Sequence, residues 1–203
     1  MTPHETVLHL LSIVRDALTA TGDKAVPDVL ARLSEQNLDL AHAQTPVPTT
    51  LPVLTHLDQC LTETRHWKRD LAEAIETLRP HFRWLQSKAY NDALLGTGFV
   101  ENYGWTEIIG PQGFFNGDDF LLGLLMLGPH QHYRDHFHPA PELYWPLTSQ
   151  TLWRKGDGSF ETKAAGDVIW HEPMMLHATK TEEQPLLALW CWTKDTATPA
   201  RLV

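Results

Sequence analysis

The second half of the chain sets the kind of fold open to it. From about Phe99 onward, short apolar runs recur without helical spacing: Phe120–Leu127, Leu143–Leu147, Thr151–Trp153, Asp167–Trp170 and Leu186–Trp192. Turn signals separate them, notably Gly110-Pro-Gln-Gly113, Asn116-Gly117 and Gly156-Asp-Gly158. Strands at this spacing, with no helical period between them, predict a sandwich or a closed barrel.

The first 80 residues read differently. Thr2-Pro3-His4-Glu5 is a helix start, with a Thr N-cap, Pro at the first helical position and a capping-box Glu. Val7, Leu10, Leu11, Val14 and Leu18 follow at helical spacing, and Gly22 ends the run. A second helix is expected from about Pro27 to Leu40. The stretch from Thr45 to Pro52 holds too many prolines for a helix and reads as an extended connector. Leu57, Leu61, Trp67, Leu71, Ile75 and Leu78 mark a third helix, stopped by Pro80. The expectation is a mainly β protein, with an N-terminal α-helical segment over residues 1–95 packed on a β-barrel over residues 96–203.

Composition narrows the functions that such a protein can have. A net charge of -9 and the lack of a large basic cluster argue against a nucleic-acid partner. Two cysteines, Cys60 and Cys191, are too few for a disulfide framework and read as buried thiols. The N-terminus has no signal-peptide pattern and no apolar stretch is long enough to span a bilayer, so a cytoplasmic location is expected. Twelve His and eight Trp are unevenly spread: His130, His132, His136 and His138 crowd together, and five Trp follow residue 140. Chemistry is therefore expected in the C-terminal half.

That chemistry centres on Tyr133 to Tyr144. In an extended segment His136 and His138 share a face, and Glu142 and Tyr144 form a second same-face pair beyond Pro139 and Pro141. Two imidazoles and a carboxylate suit Zn, Fe(II), Mn or Ni, and His177 is the best candidate for a fourth ligand. His132 belongs to a rival His-x-His pair that lacks a Glu at the matching distance. His171 fits orientation of a neighbour or surface exposure equally well.

His136-x-His138-x3-Glu142 with the later His177 resembles the two metal-binding motifs of the cupin superfamily, although several of the usual glycines are replaced. The likeness implies a double-stranded β-helix, a jelly-roll-like barrel. The longer pattern Tyr133-x2-His136-x-His138-x3-Glu142-x-Tyr144 resembles the cupin-type dimethylsulfoniopropionate (DMSP) lyases, small bacterial enzymes with a helical segment before the barrel. That resemblance implies one divalent metal ion held by His136, His138, Glu142 and His177. It makes Tyr144 the base and Tyr133 a second catalytic or substrate-positioning Tyr. Trp192 matches an aromatic of the family's substrate pocket. Trp145 and His132 are further candidates for contact with the substrate.

The implied reaction is β-elimination from a small zwitterion to acrylate and dimethyl sulfide. A metal on the substrate carboxylate stabilises the charge that develops when the neighbouring proton is removed. The sulfonium calls for an aromatic wall. Another metal-dependent cupin enzyme, either an Fe(II) dioxygenase or a small-acid or sugar isomerase, is the alternative, as is the same elimination on a different β-substituted acid. A homodimer is the further partner expectation.

Overall fold

The computed structural model describes residues 1–203. Helix α1 (Pro3–Thr21) starts as its sequence dictates: the Thr2 hydroxyl accepts the Glu5 amide and the Glu5 carboxylate accepts the Thr2 amide. Gly22, at φ +66°, closes it in the left-handed conformation. Helix α2 (Val26–Ser34) is shorter than expected. Past it, the Asn37 and Asp39 side chains accept backbone amides two residues on, which offers the chain a turn in place of another helical step.

The single helix expected up to Leu78 is two, α3 (Leu57–Trp67) and α4 (Arg69–Leu78), broken at Lys68 with φ -145° and ψ 73°. The break lets Trp67 donate its indole N–H to the Leu147 carbonyl while α4 runs back along α1. A short helix α5 (Asp92–Leu95) follows.

The strands are β1 (Trp84–Leu85), β2 (Tyr103–Ile109), β3 (Leu121–Leu127), β4 (His132–Phe137), β5 (Glu142–Pro146), β6 (Thr151–Lys155), β7 (Glu161–Lys163), β8 (Ile169–His171), β9 (His177–Lys180), β10 (Leu186–Trp192) and β11 (Arg201–Leu202). They form two sheets, ordered β1-β2-β3-β10-β5-β8 and β11-β4-β9-β6-β7. The sheets do not hydrogen-bond into a closed barrel. The fold is the two-sheet form of the cupin double-stranded β-helix.

The larger sheet is buried on both faces, which is why its strands read as nearly unbroken apolar runs. One face carries Leu122, Leu124, Met126, Leu143, Trp145, Leu187, Leu189 and Cys191, and shares one core with α1 to α4. The other carries Tyr103, Leu125, Leu127, Tyr144, Ile169, Ala188 and Trp190, and packs against Tyr133 and Trp153 of the smaller sheet.

Candidate metal centre and its cavity

Two crossings between the sheets bring the site together. The chain leaves the smaller sheet after β4, turns through His138-Pro-Ala-Pro141 and enters the larger sheet at Glu142. It returns after His171, the last residue of β8, and re-enters the smaller sheet at His177, the first residue of β9. Glu142 pairs in register with His171, and His136 with His177. The Met174 amide ties the second crossing to the His138 carbonyl at 2.9 Å.

His138, Glu142 and His177 are all buried, and one ligand atom from each lies within 4.8 Å of the other two. Glu142 Oε2 is 3.1 Å from His138 Nε2 and 3.3 Å from His177 Nε2. Each His holds a carbonyl with Nδ1, Ala140 for His138 and Met175 for His177, both at 2.8 Å. Those bonds place the proton on Nδ1 and leave lone pairs on both Nε2 atoms. Three acceptors thus converge on one buried point. Such a point needs a proton or a cation, and this donor set fits a divalent metal.

The electrostatics agree with that geometry. Burial works against a charged Glu142, but the neighbouring His138 outweighs it and holds the carboxyl well below the usual range. Burial likewise disfavours the His138 imidazolium, and the Glu142 charge overcomes this and moves its pKa up.

His136 lies beside this cluster rather than in it. Its Nδ1 holds the Arg134 carbonyl at 2.8 Å, and its ring packs on His177 at 4.1 Å and stacks on Tyr133 at 4.0 Å. Tyr133 and Tyr144 are buried, and both line a cavity of about 520 Å³ whose wall also includes Glu142. The Tyr133 hydroxyl pairs with that of Tyr90 at 2.7 Å. Burial and the Glu142 charge push the Tyr144 phenol well above its ordinary value.

Trp192 lines the same cavity, donates its indole N–H to Glu142 Oε1 at 2.7 Å and lies against the His138 ring at 4.3 Å. It therefore touches the His138–Glu142–His177 cluster as well as the cavity.

The structure does not bring Trp145 or His132 to the cavity. Trp145 alternates with Glu142 and Tyr144 along β5, so it faces the helices, packs edge-on against Trp67 and bonds the Gly166 carbonyl. His132 alternates with Tyr133 and packs on Phe160.

The sequence reading left two residues of the site unassigned. His171 is buried, has no hydrogen-bond partner on either ring nitrogen and stacks on His177 at 4.1 Å. Its Nδ1 is 3.6 Å from Glu142 Oε2. Burial lowers its pKa to about 4, so it is neutral near pH 7. Tyr90 comes from the connection before α5. Neither stands in a spaced motif, and only strand pairing and loop placement bring them in.

A double-stranded β-helix with a His–Glu–His cluster where the chain changes sheets is a cupin-type protein with a candidate metal centre. The chain belongs to the dimethylsulfoniopropionate lyase family, whose sequence profile matches residues 25–188. It is 28% identical over 109 residues to dimethylsulfoniopropionate lyase DddQ of Ruegeria pomeroyi, an alignment that spans 54% of this chain and 54% of that protein. The fold matches a chain from the crystal structures of the DMSP lyases RdDddP and RnDddQII, with a TM-score of 0.74 and 23% identity over 100% of both chains. It also matches the crystal structure of DddQ from Ruegeria pomeroyi DSS-3, with a TM-score of 0.75 and 19% identity over 98% of this chain and 96% of that one.

Proposed function

We propose that this protein is a metal-dependent carbon–sulfur lyase that cleaves DMSP to acrylate and dimethyl sulfide. The observation that carries the reading is the buried convergence of three acceptor atoms, from His138, Glu142 and His177, beside a tyrosine-lined cavity in a chain of this family. Those three side chains would hold the ion, with His136 behind them and His171 steadying Glu142. A divalent cation held there would supply Lewis acidity to the substrate carboxylate and a positive field that offsets Glu142 and lowers the pKa of the Tyr144 phenol.

Tyr144 lies next to Glu142 on the cavity wall, which suits it to take the proton beside the substrate carboxylate. The electron pair of that C–H bond becomes the new C=C bond, the C–S bond breaks, and the sulfonium leaves as neutral dimethyl sulfide. Tyr133, held by Tyr90 and stacked on His136, positions the substrate. Low water access at the buried tyrosines keeps the proton transfer local.

Headspace dimethyl sulfide from metal-assayed protein given DMSP tests the proposal, with Tyr144→Phe alongside. Release by the wild type and its loss in the folded variant is the expected result. No release from fully metallated wild type would overturn it, and oxygen uptake on turnover would point to a dioxygenase instead. The cavity is larger than so small a zwitterion fills, so a bulkier β-substituted acid is the second substrate to offer.

A further inference from the structure

An acid stands on the cavity wall with no part in the chemistry above. Glu107, on β2, is 4% exposed and lines the cavity that Glu142 lines from β5. One oxygen, Oε2, accepts the Gln112 amide at 2.6 Å and steadies the turn after β2. The other accepts no hydrogen bond from the protein, and Arg83 attracts the carboxylate only from beyond ion-pair contact. Burial pushes this carboxyl up from its ordinary value, so an acid here is held against its solvation preference.

The strand register shows what Glu107 faces. Glu107, Gly123, Trp190 and Tyr144 are successive partners across β2, β3, β10 and β5, so they form one row on the cavity face. Gly123 leaves that row open in the middle. A Cβ there would sit 1.8 Å from the Thr106 carbonyl oxygen and 3.0 Å from Trp190 Nε1. Trp105 meets Trp190 edge to face at 5.9 Å, and Trp190 meets Trp192 at 5.9 Å. An aromatic path thus runs from the His138 cluster toward Glu107.

We propose that Glu107, with Trp105 and Trp190, is the cation-binding end of this cavity and selects a substrate that carries an onium group beyond its carboxylate. The inference rests on the reading of the His138–Glu142–His177 cluster as the carboxylate end. A sulfonium or quaternary ammonium cannot donate a hydrogen bond, so it is recognised by ring faces and by a carboxylate at a distance. Trp190 pairs with Tyr144 and lies two residues along β10 from Trp192, so it offers the next ring beyond the one that touches Glu142. Glu107 faces it across Gly123.

A pair of ligands that differ only in charge provides the test: 3-(trimethylammonio)propionate and its carbon twin 4,4-dimethylpentanoate. Neither carries a sulfonium leaving group. Calorimetric binding to metallated protein should favour the ammonium acid about tenfold or more. Glu107→Gln keeps an oxygen for the Gln112 amide. It should erase that preference while binding the carbon twin as the wild type does. Equal binding of the two ligands by the wild type would overturn the inference. So would a preference that survives in Glu107→Gln, or equal weakening of both ligands, the signature of a turn-holding role alone. A charge preference in a protein that releases no dimethyl sulfide would leave this subsite standing and remove only the DMSP reading.

Discussion

At the residue scale the site combines opposed demands. Tyr144 sits where burial and Glu142 keep its proton on, so the role of base proposed for it depends on positive charge arriving at the cluster. Tyr144→Phe should lower kcat by about 10²–10⁴-fold with little change in metal content, read by steady-state kinetics and metal analysis. Trp192→Phe keeps an aromatic ring and removes the N–H that holds Glu142. It should weaken metal binding by about 10–100-fold in a cobalt(II) titration, independent of turnover.

Metal uptake should also follow pH in a fixed direction. The Glu142 carboxylate raises the His138 pKa, and the ion must displace that proton. Apparent affinity should be level above this raised pKa and fall about tenfold per pH unit below it, measured by competition with a chelator of known pH dependence. Glu107 gives the opposite kind of signal, in stability. Its folded pKa is raised, so its contribution to stability is present in acid and lost as pH rises through that value. Glu107→Gln should therefore melt at a higher temperature than the wild type near pH 8 and gain less near pH 4.

At the element scale, the two crossings between sheets matter more than any one strand. Pro139 and Pro141 stiffen one crossing, and the hydrogen bond from the Met174 amide to the His138 carbonyl fixes the other against it. The short motif in the sequence is legible because His138 and Glu142 flank a single crossing. His171 was not legible, because its closeness to Glu142 comes from β5–β8 pairing, which no local spacing reports. The direction of Trp145, by contrast, is legible in the sequence. Period-two alternation along β5 puts it opposite Glu142 and Tyr144, and that signal outweighs its nearness in sequence. The break at Lys68 was less accessible, since the helical apolar spacing runs on through it and the bend answers to the docking of Trp67 on Leu147.

At the scale of the whole molecule, the helices and the larger sheet share one core, so the helical segment is part of what keeps the sheet in solution. Ile75, buried on α4, contributes to that core, and Ile75→Ala should cost about 2–5 kcal/mol in chemical denaturation. A fragment of residues 96–203 would expose Leu122, Leu124, Met126, Trp145 and Leu189 as a continuous apolar face. It should aggregate or bind a hydrophobic dye strongly where the full chain does not. No helix of the molecule is long and apolar enough to cross a membrane.

The local features were legible from residue order alone: the capped start of α1, the positions of the main strands, and the residue types and spacing of the His136–Glu142 motif. These depend on neighbours a few residues apart, where capping, turn chemistry and side-chain period act directly. Which His nitrogens converge, that His171 reaches Glu142 and that Glu107 shares a row with Trp190 and Tyr144 came from the tertiary structure alone. Those outcomes depend on strand order and register, which are set by burying both faces of one sheet at once across residues far apart in the chain.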